Sequence, residues 1–248
     1  MMYAIDNETG KKILAEKGKE AKCPQCRGTM IARCGDLNMH HWAHETLNDC
    51  DTWSEGETEW HMKWKSYCKP EYVEVVVGEH RADIKNKAGT VIELQSGGIS
   101  MENKHIRERY YGNMIWIFKN KSEFVELSRE NNVKVPDNRD FMSMENQTIY
   151  TYWWKYSSRC ITDPDEYLNK NFDEDLSDME QMNVAIKYKT FHIYLDREDE
   201  REMWWICDGR LEKGKIIVKV VKIDKKVFKD LYFNDIQQFS QARLFERF

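Results

Sequence analysis

Asp83 and Glu93 stand ten residues apart in the stretch HRADIKNKAGTVIELQS (80–96), where Lys87-Ala88-Gly89 interrupts two strand-like runs. A three-residue hairpin loop takes its left-handed residue from a glycine. With Ala88 at the loop centre, Asn86 faces Thr90, Lys85 faces Val91, Asp83 faces Glu93 and Arg81 faces Gln95. Alternation then puts Arg81, Asp83, Lys85, Val91, Glu93 and Gln95 on one face and Ala82, Ile84, Ile92 and Leu94 on the other. Carboxylates opposite one another on adjacent strands have β-carbons roughly 4.5–5.5 Å apart and repel. A hard divalent cation, Mg²⁺ or Mn²⁺, relieves that repulsion, takes oxygen ligands and leaves positions for a substrate phosphate. Hydrolysis at phosphorus is the chemistry such an ion supports. A solvated polar face, with Arg81 and Lys85 screening the acids, is the other arrangement the spacing allows.

A second set of residues has the chemistry of a zinc site. Cys23-Pro24-Gln25-Cys26 places two thiolates at knuckle spacing, and the partners must come from downstream. His41, His44 and Cys50 are the candidates, with Cys34 and His40 behind them. If residues 41–44 are extended, His41 and His44 point to opposite faces and only one can ligate. The favoured set is Cys23, Cys26, His44 and Cys50, with His41 able to replace either of the last two. Four protein ligands leave no open position, so the zinc is structural rather than catalytic.

These groups need elements to hold them. Ser54 with Glu57 three residues later predicts a capping box, followed by a helix through TEWHMKWKSYC that Pro70 ends. Glu57 and His61 share one face of that helix, with Lys65 a turn later. YVEVVV (72–77) reads as a strand, the hairpin supplies two more, Ser100 caps a helix through MENKHIRERYYG, and NMIWIF (113–118) reads as a buried strand. The order is α, β, β, β, α, β. Before it, residues 1–52 form a small metal-stapled module with little periodicity. After it, residues 126–248 form an extension in which IYTYWWKY, FHIYL, EMWWIC and IIVKVVKI read as strands, 163–180 as an acidic loop and IQQFSQARLFERF as a helix. The paired tryptophans of that extension, Trp153-Trp154 and Trp204-Trp205, read as core packing.

Composition narrows the classes. A chain of 248 residues with 41% hydrophobic and 12% aromatic content has enough apolar material for a folded core. A mean hydropathy of −0.79 and the absence of a long apolar run or signal-peptide pattern argue against a membrane span and predict a cytoplasmic protein. Seven cysteines with one close pair suit a metal site in a reducing compartment better than a disulfide framework. Cys68, Cys160 and Cys207 read as small buried side chains. Net charge is −5, yet residues 11–35 carry +5, seven Lys and Arg against Glu16 and Glu20. Such a patch can meet a phosphate backbone.

Taken in order, CPQC, HWAH, CDTW, ETEWHMKWK, RADIK, VIELQS and ISMENKHIRERYYGNMIWI resemble the competence protein CoiA-like family over about residues 20–118, with a fainter match at WWKYSSRCI. The resemblance implies a PD-(D/E)XK nuclease-like core over 53–125, the restriction-endonuclease-like αβββαβ fold of α/β (α+β) class. It implies that Asp83 and Glu93 hold Mg²⁺ or Mn²⁺, that Gln95 takes the place of the usual lysine, and that Glu57 and His61 belong to the catalytic set. It also implies that Lys65, Arg81, Lys85, Lys104, Arg107 and Tyr111 contact nucleic acid. The missing lysine charge is expected from Arg81, Lys85, Lys104 or Arg107. The implied activity is metal-dependent cleavage of phosphodiester bonds in DNA, with the zinc module positioning the nucleic acid and the C-terminal extension available to a protein partner. The alternative is a nucleic-acid-binding accessory protein of DNA uptake, recombination or phage biology that keeps the fold without hydrolysis.

Overall fold

The first fifty residues break into β-prone runs of three to five residues between turns, and those runs pair. In the computed structural model, β1 (Tyr3–Asp6), β2 (Lys12–Leu14), β3 (Glu20–Lys22), β4 (Thr29–Arg33) and β5 (His41–His44) form one sheet in the order β2-β1-β3-β4-β5. All its pairings are antiparallel. One face packs Ala4, Ala15, Ala21, Met30 and Trp42, and the Trp42 indole N–H donates to the Ile13 carbonyl at 3.0 Å. The weak periodicity of the sequence here comes from strand length, since three residues are too few to show alternation.

The structure describes residues 1–35, 40–46, 50–53, 56–120, 122–135, 144–155, 192–198, 200–212 and 215–233. Ser54, Cys160, the acidic stretch 163–180 and the C-terminal IQQFSQARLFERF lie outside the described residues, wholly or in most part. Among the described residues, no helix is long and apolar enough to cross a membrane. Contacts divide the chain into two units. One is Met1–Ser96 with Tyr232–Asp235, and the other is built from Gly97–Leu231.

In the first unit the N-terminal sheet is followed by α1 (Glu59–Lys65), a 3₁₀ turn (Pro70–Tyr72) and the antiparallel strands β6 (Val73–Val77), β7 (His80–Lys85) and β8 (Val91–Gln95). The helix begins later than the Ser54–Glu57 pair predicts. Its cap is Thr58, whose hydroxyl accepts the His61 N–H, while the His61 ring accepts the Thr58 N–H at 3.2 Å. A histidine therefore fills the place that a glutamate takes in the usual capping box. The helix also ends at Lys65, short of Pro70, with Ser66 as C-cap.

The hairpin follows the expected register. Ile84 pairs with Ile92 and Lys85 with Val91, the Asn86 N–H donates to the Thr90 carbonyl at 3.0 Å, and the Gly89 N–H closes the turn onto the Asn86 carbonyl at 2.9 Å. Gly89 has φ +84°, the left-handed conformation this loop needs. Both faces of β8 are buried, including Glu93 and Gln95, so the solvated-face arrangement is not what forms.

The second unit contains α2 (Met101–Tyr111), capped by Ser100 as expected, then β9 (Met114–Lys119), β10 (Glu123–Val135), β11 (Met144–Lys155), β12 (His192–Asp196), β13 (Glu202–Glu212), β14 (Lys215–Asp224) and α3 (Lys225–Tyr232). Its strands run in the order β10-β11-β14-β13-β12-β9, with β9 and β12 parallel and the others antiparallel. Trp154 and Trp204 pack in its core with Tyr152, Leu195 and Val218, which is the role the tryptophan pairs predict. The strand β10 and the helix α3 are additions to the sequence reading. The molecule is mixed α and β with strands dominant.

Candidate metal centre and carboxylate site

The chain from Cys23 to Gly28 turns back on itself: the Cys23 N–H donates to the Gly28 carbonyl at 2.9 Å and the Arg27 N–H to the Cys23 carbonyl at 3.0 Å. Arg27 takes φ +61° at the corner. The Gln25 and Gly28 amides donate to the sulfurs of Cys23 and Cys26, each at 3.4 Å. β5 supplies His44, and Cys50 follows six residues later. The four ligand atoms of Cys23, Cys26, His44 and Cys50 lie within 4.8 Å of one another. Cys23 Sγ is 3.7 Å from Cys50 Sγ, and His44 Nε2 is 3.3 Å from Cys26 Sγ and 3.6 Å from Cys50 Sγ. Tetrahedral zinc with metal–ligand bonds of about 2.0–2.3 Å requires ligand separations of roughly 3.3–3.8 Å, so this set could hold zinc. His41, on the same short strand, is not in the set. Without a metal, the amide of Gly28 and the neighbouring thiols outweigh burial and lower the Cys26 pKa, whereas burial and the charge of Cys23 push Cys50 up to about 12.

The second cluster is built on β6, β7 and β8. Between Val73↔Ile84 and Val75↔Ala82 the register sets Glu74 opposite Asp83, and the hairpin register sets Asp83 opposite Glu93. Three acids thus form a row across three strands. The backbone ladder opens at this row. The Asp83 N–H donates to Glu93 Oε1 at 3.2 Å, and Asp83 Oδ2 accepts the Leu94 N–H at 3.0 Å, so side chains take the place of carbonyls. Glu74 has φ +51°, a strained value for a residue with a side chain, and its carboxylate accepts the Met2 and Tyr3 amides at 2.7 and 2.9 Å.

From α1, Lys65 reaches into the row. Its ammonium lies 2.7 Å from Glu57, 2.9 Å from Asp83 and 3.3 Å from Glu74. The side chains of Lys65 and Glu74 are 4% and 2% exposed, while that of Asp83 is 23% exposed and gives the cluster its opening to solvent. Burial disfavours every charge here, but the Lys65 ammonium outweighs it and lowers the pKa of Asp83 and of Glu57. Against the same burial, the carboxylates of Asp83, Glu57 and Glu74 raise the Lys65 pKa well above the usual lysine range. His61 accepts from Thr58 through Nδ1, so its Nε2–H donates to the Leu94 carbonyl at 3.1 Å. Nδ1 thus caps α1, and Nε2 holds α1 to β8. Gln95 is buried two residues beyond Glu93.

The two clusters are joined by residues that carry no chemistry of their own. Asp51, next to the ligand Cys50, accepts from His80 Nδ1 at 3.0 Å, the Arg81 N–H at 2.9 Å and the Trp53 N–H at 3.0 Å. The Gln25 amide donates to the carbonyls of Cys50 and Glu79 at 2.8 and 2.5 Å. The Lys12 ammonium donates to the carbonyls of Val73 and Glu74. The bonds to His80, Arg81, Glu79, Val73 and Glu74 fasten the N-terminal sheet and the metal site to the β6–β7 hairpin, while those from Trp53 and to Cys50 brace the metal site itself.

The structure brings together Asp83, Glu93, Glu57, Lys65 and His61. It does not present the whole expected nucleic-acid set at a surface. Lys65, Lys104 and Arg107 are buried, and Lys104 is ion-paired with Glu108, which also binds His105 and the Trp116 indole. Buried and ion-paired, Lys65 and Lys104 are not surface contacts for a nucleic-acid backbone. Lys104, Arg107 and Tyr111 lie in the second unit, and Arg81 and Lys85 are both half-buried. Glu74 escaped the sequence reading because one glutamate in a valine run looks like an outward-facing strand position. Asp51 escaped it because an acid beside a ligand cysteine has no spacing signature.

Residues 5–52 match the family model described as the N-terminal domain of competence protein CoiA. That segment carries the N-terminal sheet and all four residues of the Cys and His cluster. No curated protein and no solved structure matches the chain.

Proposed function

We propose that this chain, whose residues 5–52 match the CoiA N-terminal domain, is a divalent-metal-dependent nuclease acting on DNA. The observation that carries the reading is the row Glu74, Asp83 and Glu93 with Glu57 alongside: the ammonium of Lys65 contacts Glu57, Glu74 and Asp83, the N-terminal ammonium lies 3.5 Å from Glu57, and the row is buried except toward Asp83. The depressed pKa values of Asp83 and Glu57 keep both ionised at neutral pH. Asp83 and Glu93, adjacent at the more open end of the row, suit a dication bound by one or two carboxylates with the remaining positions left to water and phosphate oxygen. Asp83 and Glu93 would hold that ion, Mg²⁺ or Mn²⁺, whose contribution when bound is Lewis acidity at a phosphoryl oxygen.

The order α1, β6, β7, β8, α2, β9 supports reading these elements as a PD-(D/E)XK core. In this reading Glu57 anchors the lysine beside the site, and Gln95 orients the attacking water through its amide, which can donate and accept. His61 locks α1 against β8. The N-terminal cluster holds structural zinc, and the Lys and Arg residues around it give a platform for a phosphate backbone.

The test is cleavage of labelled single- and double-stranded DNA in Mn²⁺, Mg²⁺ and EDTA, beside Asp83→Ala. Cleavage that needs the divalent ion and is lost with Asp83 is the expected result. Unchanged cleavage by Asp83→Ala sinks the proposal. A second reading, a binding module without hydrolysis, draws on Gln95, which brings no charge to the position where the superfamily carries lysine. It expects DNA binding in Ca²⁺ that survives Asp83→Ala, with no metal-dependent product.

A further inference from the structure

Gln95 leaves the site short of one positive charge, and the buried ammonium of Lys65 stands in the same cluster. We infer that Lys65, carried on α1, is the cation of the phosphoryl-transfer site and supplies what Gln95 on β8 does not. This rests on the nuclease reading above and adds to it the residue that delivers the charge.

An ammonium has three N–H donors in a tetrahedral array. Glu57 and Glu74 lie 2.7 and 3.3 Å from Lys65 Nζ, and both are more deeply buried than Asp83. They hold the ammonium from the inner side. The contact to Asp83, at 2.9 Å, aims the charge at the solvent-facing end of the row. Asp83 is therefore shared between the lysine and the position a metal would take.

The arrangement is more than charge neutralisation. Two carboxylates hold Lys65 from behind, Glu57 being shared with the N-terminal ammonium at 3.5 Å, and Glu74 takes a strained backbone (φ +51°) while its carboxylate is fixed by two amides. Strain at a buried polar residue is a mark of positioning. The sequence reading looked for the missing charge in Arg81, Lys85, Lys104 and Arg107. Lys104 is paired with Glu108, whereas Lys65, expected from the resemblance at the nucleic-acid backbone, is in contact with Asp83.

The test compares wild type with Lys65→Met, Lys65→Gln and the exchange variant Lys65→Gln with Gln95→Lys. Folding is checked by zinc content and a cooperative melt, binding of Ca²⁺ alone by calorimetry, and cleavage in Mn²⁺. Removing a positive charge beside Asp83 is expected to leave Ca²⁺ affinity unchanged or tighten it about tenfold. The same removal is expected to slow cleavage by about 100-fold or more. The exchange variant, which moves the ammonium to β8, is expected to recover at least about tenfold over Lys65→Gln, an effect that a purely structural lysine would not give.

The assignment is overturned if Lys65→Met cleaves within about threefold of wild type, or if a folded exchange variant is as slow as Lys65→Gln. Should the single variants lose their melt, the exchange variant decides alone. Cleavage within about tenfold of wild type supports Lys65, and no cleavage overturns it. A wild type that cleaves nothing overturns the nuclease reading together with this assignment. A wild type that cleaves while Lys65→Met keeps pace overturns this assignment only.

Discussion

Gly28 shows how little room the metal knuckle leaves. A Cβ built there would lie 3.2 Å from Cys26 Sγ and 3.7 Å from His44 Cδ2, against two of the four ligands. Gly28→Ala is therefore expected to weaken zinc binding several-fold and to cost about 1–3 kcal/mol, the usual range for overpacking a tight site. Competition with a chromophoric chelator and a thermal melt check the two effects. The cluster also fixes the sign of a pH effect. With Cys50 at about 12 in the absence of metal, zinc must displace a proton from that thiol, so affinity should fall as pH falls. Zinc titrations that are flat between about pH 8 and pH 5.5 would contradict the assignment of Cys50 as a ligand.

At the scale of elements, the β7–β8 hairpin and the link from the metal loop to β7 make different predictions. Nothing lies within 4 Å of a Cβ placed on Gly89, whose φ is +84°. Gly89→Ala should thus register the backbone term alone, a loss of about 1 kcal/mol seen in denaturant unfolding. Asp51→Ala removes the acceptor of the Arg81 and Trp53 amides and the partner of His80. Amide exchange at Arg81 should quicken while the four zinc ligands remain, and unchanged protection there would show that Asp51 does not hold β7. The hairpin register was legible in the sequence because a glycine fixed the loop and strict alternation fixed the faces. That one histidine joins Cys23, Cys26 and Cys50 was legible because an extended HWAH can offer only one; the choice of His44 over His41 came from the structure. Other features depend on atoms that spacing does not describe. The ladder opens at Asp83 because carboxylates replace carbonyls as acceptors, Glu74 turns inward through a left-handed residue, and Thr58 with His61 caps α1 because an imidazole at the third helical position can accept the cap amide.

At the scale of the whole chain, the net charge of −5 conceals a basic N-terminal stretch and a buried acidic cluster, and the cluster should govern how the first unit responds to pH. Asp83 and Glu57 have pKa values below their unfolded ones. Their contribution is present above the unfolded carboxylate range of about 3.9–4.3 and is lost as pH falls through the lower folded values. Lys65 is shifted the other way. Its contribution is complete below the unfolded lysine value of about 10.4 and disappears as pH rises through the higher folded one. The cluster should therefore give a plateau of stability between about pH 5 and pH 10, with an acid limb from the carboxylates. Zinc release, driven by thiol protonation, should begin at higher pH than that limb. The two are separable by recording unfolding with zinc and with EDTA, using the near-ultraviolet signal of Trp42, Trp60 and Trp64, all buried in the first unit. EDTA should remove the higher transition and leave the acid limb. Asp83→Asn should flatten the acid limb while leaving zinc release where it was. An acid limb that Asp83→Asn does not change would mean that the pairing of Asp83 with Lys65 contributes nothing to the fold, and the case for Lys65 would then rest on cleavage rates alone.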